Sequence, residues 1–124
     1  MRGFWAMGAA ALLAGCVGTP SLNGSTGAPS FAALQQICSA TPVDYGNDAE
    51  SVYTTFFDAY VANRRGKLSK DDYCAFQGAI AQNYTKFGTS TDPQARSQWA
   101  AFFLDQRVKA ISWRAAVDPT LRAG

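Results

Sequence analysis

The 124-residue sequence contains no histidine. Histidine is the side chain that most often acts as a general base near neutral pH, and its imidazole is the commonest metal ligand in proteins. Its absence excludes every serine or cysteine nucleophile that a histidine would activate. An enzyme is therefore the class of function that we expect least, and the sequence indicates neither a cofactor nor a metal site.

The chain also lacks an excess of charge of either sign. It has 11 Lys and Arg against 9 Asp and Glu, and the first fifteen residues contain Arg2 but no acidic residue. A chain that begins at Cys16 is consequently close to neutral. Such a balance provides no general attraction for a polyanion. We therefore expect no nucleic-acid partner.

Residues 1–16 have the pattern of an export signal. Arg2 is followed by a short, mostly apolar run that is too short to span a bilayer. The run ends in Leu13-Ala14-Gly15-Cys16, which resembles the lipobox of bacterial lipoprotein precursors. The resemblance implies cleavage before Cys16, a diacylglycerol thioether on this cysteine and, usually, acylation of the new amine. Two or three acyl chains hold a protein stably on a membrane, whereas one holds it only reversibly.

The residue after the cysteine bears on the membrane that would receive the protein. Position 17 is valine and not aspartate, and by resemblance to lipoproteins of Gram-negative bacteria this favours the outer membrane, facing the periplasm. A Gram-positive host is an alternative. An ordinary signal peptide, or a core helix with a chance cysteine, is the alternative for the whole segment. We therefore expect a protein that is held in the cell envelope by a lipid anchor.

The sequence divides into three parts. Residues 1–15 form the predicted lipoprotein signal peptide, residues 16–30 a lipidated flexible tether, and residues 31–124 a helical domain. The tether is rich in glycine, serine, threonine and proline and has no apolar periodicity, as is typical of a flexible spacer.

Apolar residues recur at helical spacing after the tether, and no segment alternates with period two. We predict helices over residues 31–38, 47–65, 69–88 and 92–117, joined by short connections. The predicted fold class is therefore all-α, a small four-helix bundle-like domain with one disulfide.

Capping residues mark the predicted helix ends. Asn47 with Glu50 and Ser69 with Asp72 have the spacing of capping boxes at the second and third helices. Gly66 and Gly88 follow the last apolar residues of these helices as C-terminal stops. Asp92 precedes Pro93, a residue favoured at the first position of a helix, at the start of the fourth.

Cys38 and Cys74 are the two cysteines left after lipidation. In an exported protein such a pair usually forms a disulfide. The chain-entropy model assigns the closure of this loop about 3–4 kcal/mol. A metal site is disfavoured because two thiolates without histidine leave a tetrahedral site half empty. A redox site is disfavoured because the usual Cys-x-x-Cys pair is missing.

The fourth helix carries apolar residues on more than one face, so burial of a single face leaves some of them exposed. We predict that its aromatic residues line a groove for a partner helix or peptide. The predicted groove residues are Trp99, Phe102, Phe103 and Trp113. The alternative is that these aromatics serve only the core of a small domain.

Two hypotheses for function follow. In architecture the chain resembles the small helical, disulfide-bonded pilotin lipoproteins, which hold a helix of a secretin subunit in an apolar groove. The resemblance covers size, lipid anchor, helices and disulfide, and no residue is carried over. It implies a non-enzymatic, adaptor-like module that binds an envelope protein, with the fourth helix as the groove wall.

The alternative is a periplasmic inhibitor or immunity protein that blocks a cell-wall hydrolase or a toxin with a loop. The candidate loops are residues 43–47 and 89–92. A structural lipoprotein without a soluble ligand is a third possibility.

Overall fold

Helices account for most of residues 28–118, the part of the chain that the computed structural model describes. In chain order they are α1 (Phe31–Ile37), α2 (Ala49–Arg64), α3 (Lys70–Asn83) and α4 (Pro93–Val117). A 3₁₀ turn, Gly46–Asp48, precedes α2, and a π-helical turn, Tyr84–Gly88, continues α3. No strand occurs within this range, so the predicted all-α class with four helices is confirmed. Cys16, the predicted signal peptide and most of the predicted tether lie outside the described residues.

Aromatic rings form much of the core, which is built around α2. Phe31 of α1 contacts Tyr53 and Phe56 of α2 with ring centroids 5.5 and 5.7 Å apart, and it stacks on Tyr45 at 5.8 Å. Large rings bury much apolar area for few residues, which a domain of this size needs. The largest side chains that are fully buried are Leu34, Tyr45, Val52, Tyr53, Phe56, Tyr73 and Ile80.

The predicted starts of α3 and α4 are confirmed. Ser69 Oγ accepts a hydrogen bond from the backbone N–H of Asp72 at 3.0 Å. Asp92 Oδ1 accepts one from the backbone N–H of Gln94 at 3.3 Å, and Pro93 is the first residue of α4. These bonds satisfy donors that the helices themselves leave unpaired.

The predicted capping box at Asn47 and Glu50 is wrong. Residues 46–48 form the 3₁₀ turn, and the N-cap of α2 is Asp48, which makes no side-chain capping bond. Its carboxylate instead accepts a hydrogen bond from the indole N–H of Trp99 in α4, at 3.1 Å. The side chain at the start of α2 therefore binds a residue of α4 and does not cap its own helix.

Gly66 ends α2 as predicted. Its φ of +85° lies in the left-handed region, which glycine adopts without steric cost. Its N–H donates to Asn63 O at 3.1 Å, and the N–H of Lys67 donates to Ala62 O at 2.9 Å. This pair of bonds is the Schellman motif, and it turns the chain towards α3.

The disulfide joins Cys38, at the end of α1, to Cys74 in α3, with Cα atoms 5.4 Å apart. The predicted bridge is therefore confirmed. α1 is also held from its N-terminal side, because Pro29 O accepts from the Tyr53 hydroxyl at 2.6 Å and Ser30 caps the helix. Pro29 and Ser30, assigned to the tether by sequence, thus belong to the folded unit.

Candidate functional site

α4 has one face in the core and one in solvent. On the inner face Trp99 and Ala110 are buried. On the outer face Leu104, Val108 and Ile111 are 62%, 60% and 39% exposed, and they are the exposed large hydrophobic residues of the described chain. Isolated exposed apolar residues are common, whereas these three follow one another along one face of a single helix.

An open cleft of about 810 Å³ lies along the N-terminal half of α4. The indole of Trp99 and the ring of Phe103 contribute apolar surface, and Leu104 lies at the side nearest the exposed face. Asp48, which precedes α2, and Ser51 in its first turn also line the cleft. The turn that joins the π-helical segment to α4 closes one end through Gly88, Thr91 and Pro93.

Stacked rings hold the apolar wall of the cleft in place. Trp99 and Phe103 are stacked, with ring centroids 5.2 Å apart and planes 22° from parallel. Tyr84 meets the other side of Trp99 edge-on at 5.1 Å. Together with the bond from the Trp99 indole to Asp48, these contacts fix the indole from three directions. The position of the indole is therefore set by contacts within the fold.

Two arginines of α4 border the cleft. Arg107 Nη1 lies 3.0 Å from Asp58 Oδ2 and 3.3 Å from Thr55 Oγ1, which fixes its guanidinium against α2. Asp58 also accepts from Arg114 Nη1 at 2.8 Å, so that one nearly buried carboxylate holds two guanidinium groups. Arg96 is exposed, and its guanidinium has no hydrogen bond or ion pair with any residue between 28 and 118.

The tyrosines behind the cleft stay protonated at neutral pH. Burial raises the pKa of Tyr84, and the carboxylates of Asp48 and Asp44 raise it further. Burial, followed by the nearby Tyr84, raises the pKa of Tyr45. Tyr45 and Tyr84 lie with ring centroids 4.9 Å apart. The support of the cleft is therefore uncharged, and its charge comes from the arginines and from Asp48.

The structure separates the four predicted groove residues into two pairs. Trp99 and Phe103 line the cleft together. Trp113 instead meets Phe76 of α3 edge-on, with ring centroids 5.0 Å apart, and Phe102 is half-buried against the core. Arg96 and Arg107 also line the cleft and were not among the predicted groove residues. The sequence signal that could have identified them is their spacing of seven and four residues from Phe103, which places all three on one face of α4.

The two loops considered for an inhibitor differ in exposure. Residues 43–47 are tied to the core: Tyr45 is 1% exposed, and the Val43 N–H donates to Gln35 Oε1 at 3.0 Å. Residues 89–92 are largely exposed and form the end of the cleft.

Neither a membrane-spanning helix nor a metal-binding cluster is found in the described part of the chain. Its helices are too short or too polar to cross a bilayer, and no three side chains of the metal-ligating types converge. No family model matches this sequence, and neither the curated proteins nor the solved structures include a significant match to it.

Proposed function

We propose that this chain is a lipid-anchored lipoprotein of the cell envelope whose helical domain binds another envelope protein as an adaptor. The Leu13-Ala14-Gly15-Cys16 motif supports the anchor, and Val17 favours the outer membrane. The membrane is then one partner of the chain through its lipid, and the envelope protein is the other. The activity of the domain is binding and not catalysis.

The cleft on α4 is the observation that carries the binding proposal. Phe103 is half-buried and offers part of its ring to a ligand, and Trp99, which is 5% exposed, holds that ring in place by stacking on it. The cleft is open to solvent and has a volume of about 810 Å³, so that it has room for a side of a helix or for part of an extended peptide.

The charges at the cleft indicate the chemistry of the segment that binds. Arg96 presents a guanidinium without a partner in residues 28–118, and arginine binds carboxylates through two parallel hydrogen bonds. A segment with an apolar side chain against Phe103 and a carboxylate near Arg96 satisfies both features. An acidic, amphipathic segment is therefore the ligand that we expect.

The inhibitor hypothesis has less support from the loops. Residues 43–47 cannot leave the core without exposing Tyr45, so they make a poor plug for an active site. Residues 89–92 are short and form the end of the cleft, where they add to the adaptor surface.

Photocross-linking in living cells tests the proposal. A photoreactive residue replaces Thr91, an exposed residue that lines the cleft, in the full chain, and a matched control replaces Ala79, an exposed position on α3. We expect an adduct with a second envelope protein from position 91 and none from position 79. The same adducts from both positions, or none from position 91, would contradict the proposal.

A charge reversal tests the role of the arginine. With the photoreactive residue again at position 91, Arg96→Glu should reduce the adduct about tenfold, the effect of losing one charge-assisted contact. Lys67→Glu, at an exposed position after α2, makes the same change in charge away from the cleft and should leave the adduct unchanged.

A further inference from the structure

The exposed face of α4 carries a heptad pattern that shares Ser97 and Leu104 with the cleft and continues beyond it to Ile111. Ser97, Ala101, Leu104, Val108 and Ile111 follow one another at intervals of four, three, four and three residues. All five are exposed. This alternation is the spacing of the a and d positions of a coiled coil, in which a helix repeats its contact with a second helix every 3.5 residues. The occupant that fits this face is therefore an α-helix.

We infer that the second helix is α4 of another copy of this chain, paired side by side in the parallel direction. In heptad notation Ala101 and Val108 take position a, and Ser97, Leu104 and Ile111 take position d. One layer of the face, Val108 at a with Leu104 at d, has the combination of a β-branched residue and leucine that favours two parallel strands. A parallel pair in register places Val108 against Val108 and Leu104 against Leu104, with a small-residue layer at Ala101.

The charges that flank the face favour the same direction. Positions e and g, which border the contact, hold the charged residues Asp105, Arg107 and Arg114, and Arg114 is already paired with Asp58 and Asp118 of its own chain. In a parallel pair a g residue faces an e residue of the next heptad, so Arg107 meets Ser112 and Asp105 meets Ala100. In an antiparallel pair centred on Leu104 and Val108, g faces g and e faces e. Arg107 would then meet Arg107 and Asp105 would meet Asp105, and like charges in contact are unfavourable.

The contact is small, and this bears on where the pair forms. Three large side chains from each copy are fewer than a stable dimer in dilute solution needs. Lipid anchors confine copies to one membrane and raise their effective concentration. A parallel pair also leaves both N-terminal tethers at the same end, as two chains in one membrane require. The inference that the pair forms in the membrane rests on the proposed lipid anchor, whereas the heptad pattern of α4 does not depend on it.

Disulfide trapping in membranes tests the pair. Leu104→Cys places one new thiol in the d position of the full chain, where Cys38 and Cys74 are already bonded. Residues that face each other at this position lie within reach of a disulfide. Under mild oxidation we expect at least about tenfold more linked dimer than from Ala79→Cys, an exposed position on α3, because only the first is held in contact. The unsubstituted chain controls for linkage through Cys16.

Further variants establish the direction and the fold. Chains with Leu104→Cys and with Val108→Cys are expressed together: linkage only between the two different variants indicates an antiparallel pair and overturns the proposal. Leu104→Cys that links no more than Ala79→Cys also overturns it. Because Leu104 is 62% exposed, its replacement leaves the core intact, and an intact Cys38–Cys74 bridge verifies this. Linked dimers without an adduct from position 91 would support the pair and contradict the adaptor function. An adduct from position 91 without linked dimers would support the adaptor function and contradict the pair.

Discussion

At the scale of single residues, the buried tyrosines differ in whether their hydroxyls have a partner. Tyr53 donates to Pro29 O at 2.6 Å, and Tyr73 donates to Phe56 O at 3.3 Å. The hydroxyl of Tyr45 is buried without a hydrogen-bond partner among residues 28–118. A buried polar group that lacks a partner costs about 1–3 kcal/mol. Tyr45 is therefore the place where removal of a polar atom should do least harm.

The stability of the domain should fall in alkaline solution. Burial raises the pKa of Tyr45 and of Tyr73 above the ordinary value of about 10 for tyrosine. At a pH between the pKa of these tyrosines in the unfolded chain and their higher pKa in the folded chain, the unfolded chain releases protons that the folded chain keeps. The free energy of unfolding is therefore unaffected below about pH 10 and decreases as the pH rises above it. Urea unfolding at several pH values measures this loss.

Tyr45→Phe identifies the source of the alkaline loss. It should raise the free energy of unfolding at neutral pH by about 1 kcal/mol and make the decline above pH 10 shallower. Tyr53→Phe is the control at neutral pH, where it removes a hydroxyl that has a partner and should lower stability by about 1 kcal/mol. Burial raises the pKa of Tyr53 as well, so both substitutions make the alkaline decline shallower. Changes of the same sign at neutral pH would contradict the assignment.

Asp58 is the charge on which the contact between α2 and α4 depends most. Asp58→Asn leaves the guanidinium groups of Arg107 and Arg114 without their shared carboxylate. Removal of one partner of a buried pair costs about 3–5 kcal/mol, and because these arginines are 30% and 25% exposed we expect about 2–3 kcal/mol. Asp105→Asn, at an exposed position of α4, should change stability by less than about 0.5 kcal/mol. Denaturant unfolding of both variants gives the comparison.

At the scale of helices and turns, the π-helical turn depends on one glycine. A Cβ atom at Gly88 would lie 2.9 Å from Cε1 of the Tyr84 ring, which also packs on Trp99. Gly88 was predicted to end this helical stretch as a C-terminal stop, and it does lie at its end. Its backbone is not in the left-handed region, and the missing side chain makes room for the ring.

Two glycine-to-alanine substitutions test this explanation. Gly88→Ala should lower the free energy of unfolding by about 1–3 kcal/mol, because the Tyr84 ring must move. Gly78→Ala, inside α3 with open space around it, should raise stability by about 0.5–1 kcal/mol through helix propensity. Thermal unfolding distinguishes them by sign, and two shifts in the same direction would refute the steric explanation.

Local signals in the sequence were sufficient for most helix ends and failed where a distant residue intervened. The ends at Ser69, Gly66 and Asp92 follow from bonds between neighbours in the chain. The start of α2 does not, because Asp48 binds Trp99, which is 51 residues away. Neither apolar periodicity nor a capping rule could identify Trp99 as the partner of Asp48, because both consider only residues that are close in sequence.

At the scale of the whole molecule, the disulfide supplies a large share of stability. Cys38→Ser with Cys74→Ser should lower the free energy of unfolding by about 3–4 kcal/mol, the loop-closure term for 36 residues. This is a substantial part of the roughly 5–15 kcal/mol typical of a domain. Unfolding of this variant measures the contribution, and a loss below about 1 kcal/mol would mean that the helices alone hold the fold.

Two of the four predicted groove residues line the cleft, and the other two do not because their positions depend on residues that are distant in sequence. The composition of α4 showed that it carries more apolar residues than one face can bury, and Trp99 and Phe103 do line a cleft. Phe102 and Trp113 lie on the other side because α3 offers Phe76 as a partner for the second tryptophan. The sequence also could not show that Asp58 holds Arg107 at the edge of the cleft, since the two residues are 49 positions apart.

The central claim is that the chain acts at a membrane to which lipid holds it at Cys16. Mass spectrometry of the protein purified from its own membranes tests this most directly. We predict a polypeptide that begins at Cys16, carries a diacylglycerol thioether on that residue, and is two hydrogens lighter for the Cys38–Cys74 bridge. A chain that retains Met1, or one that begins elsewhere without lipid, would contradict the claim.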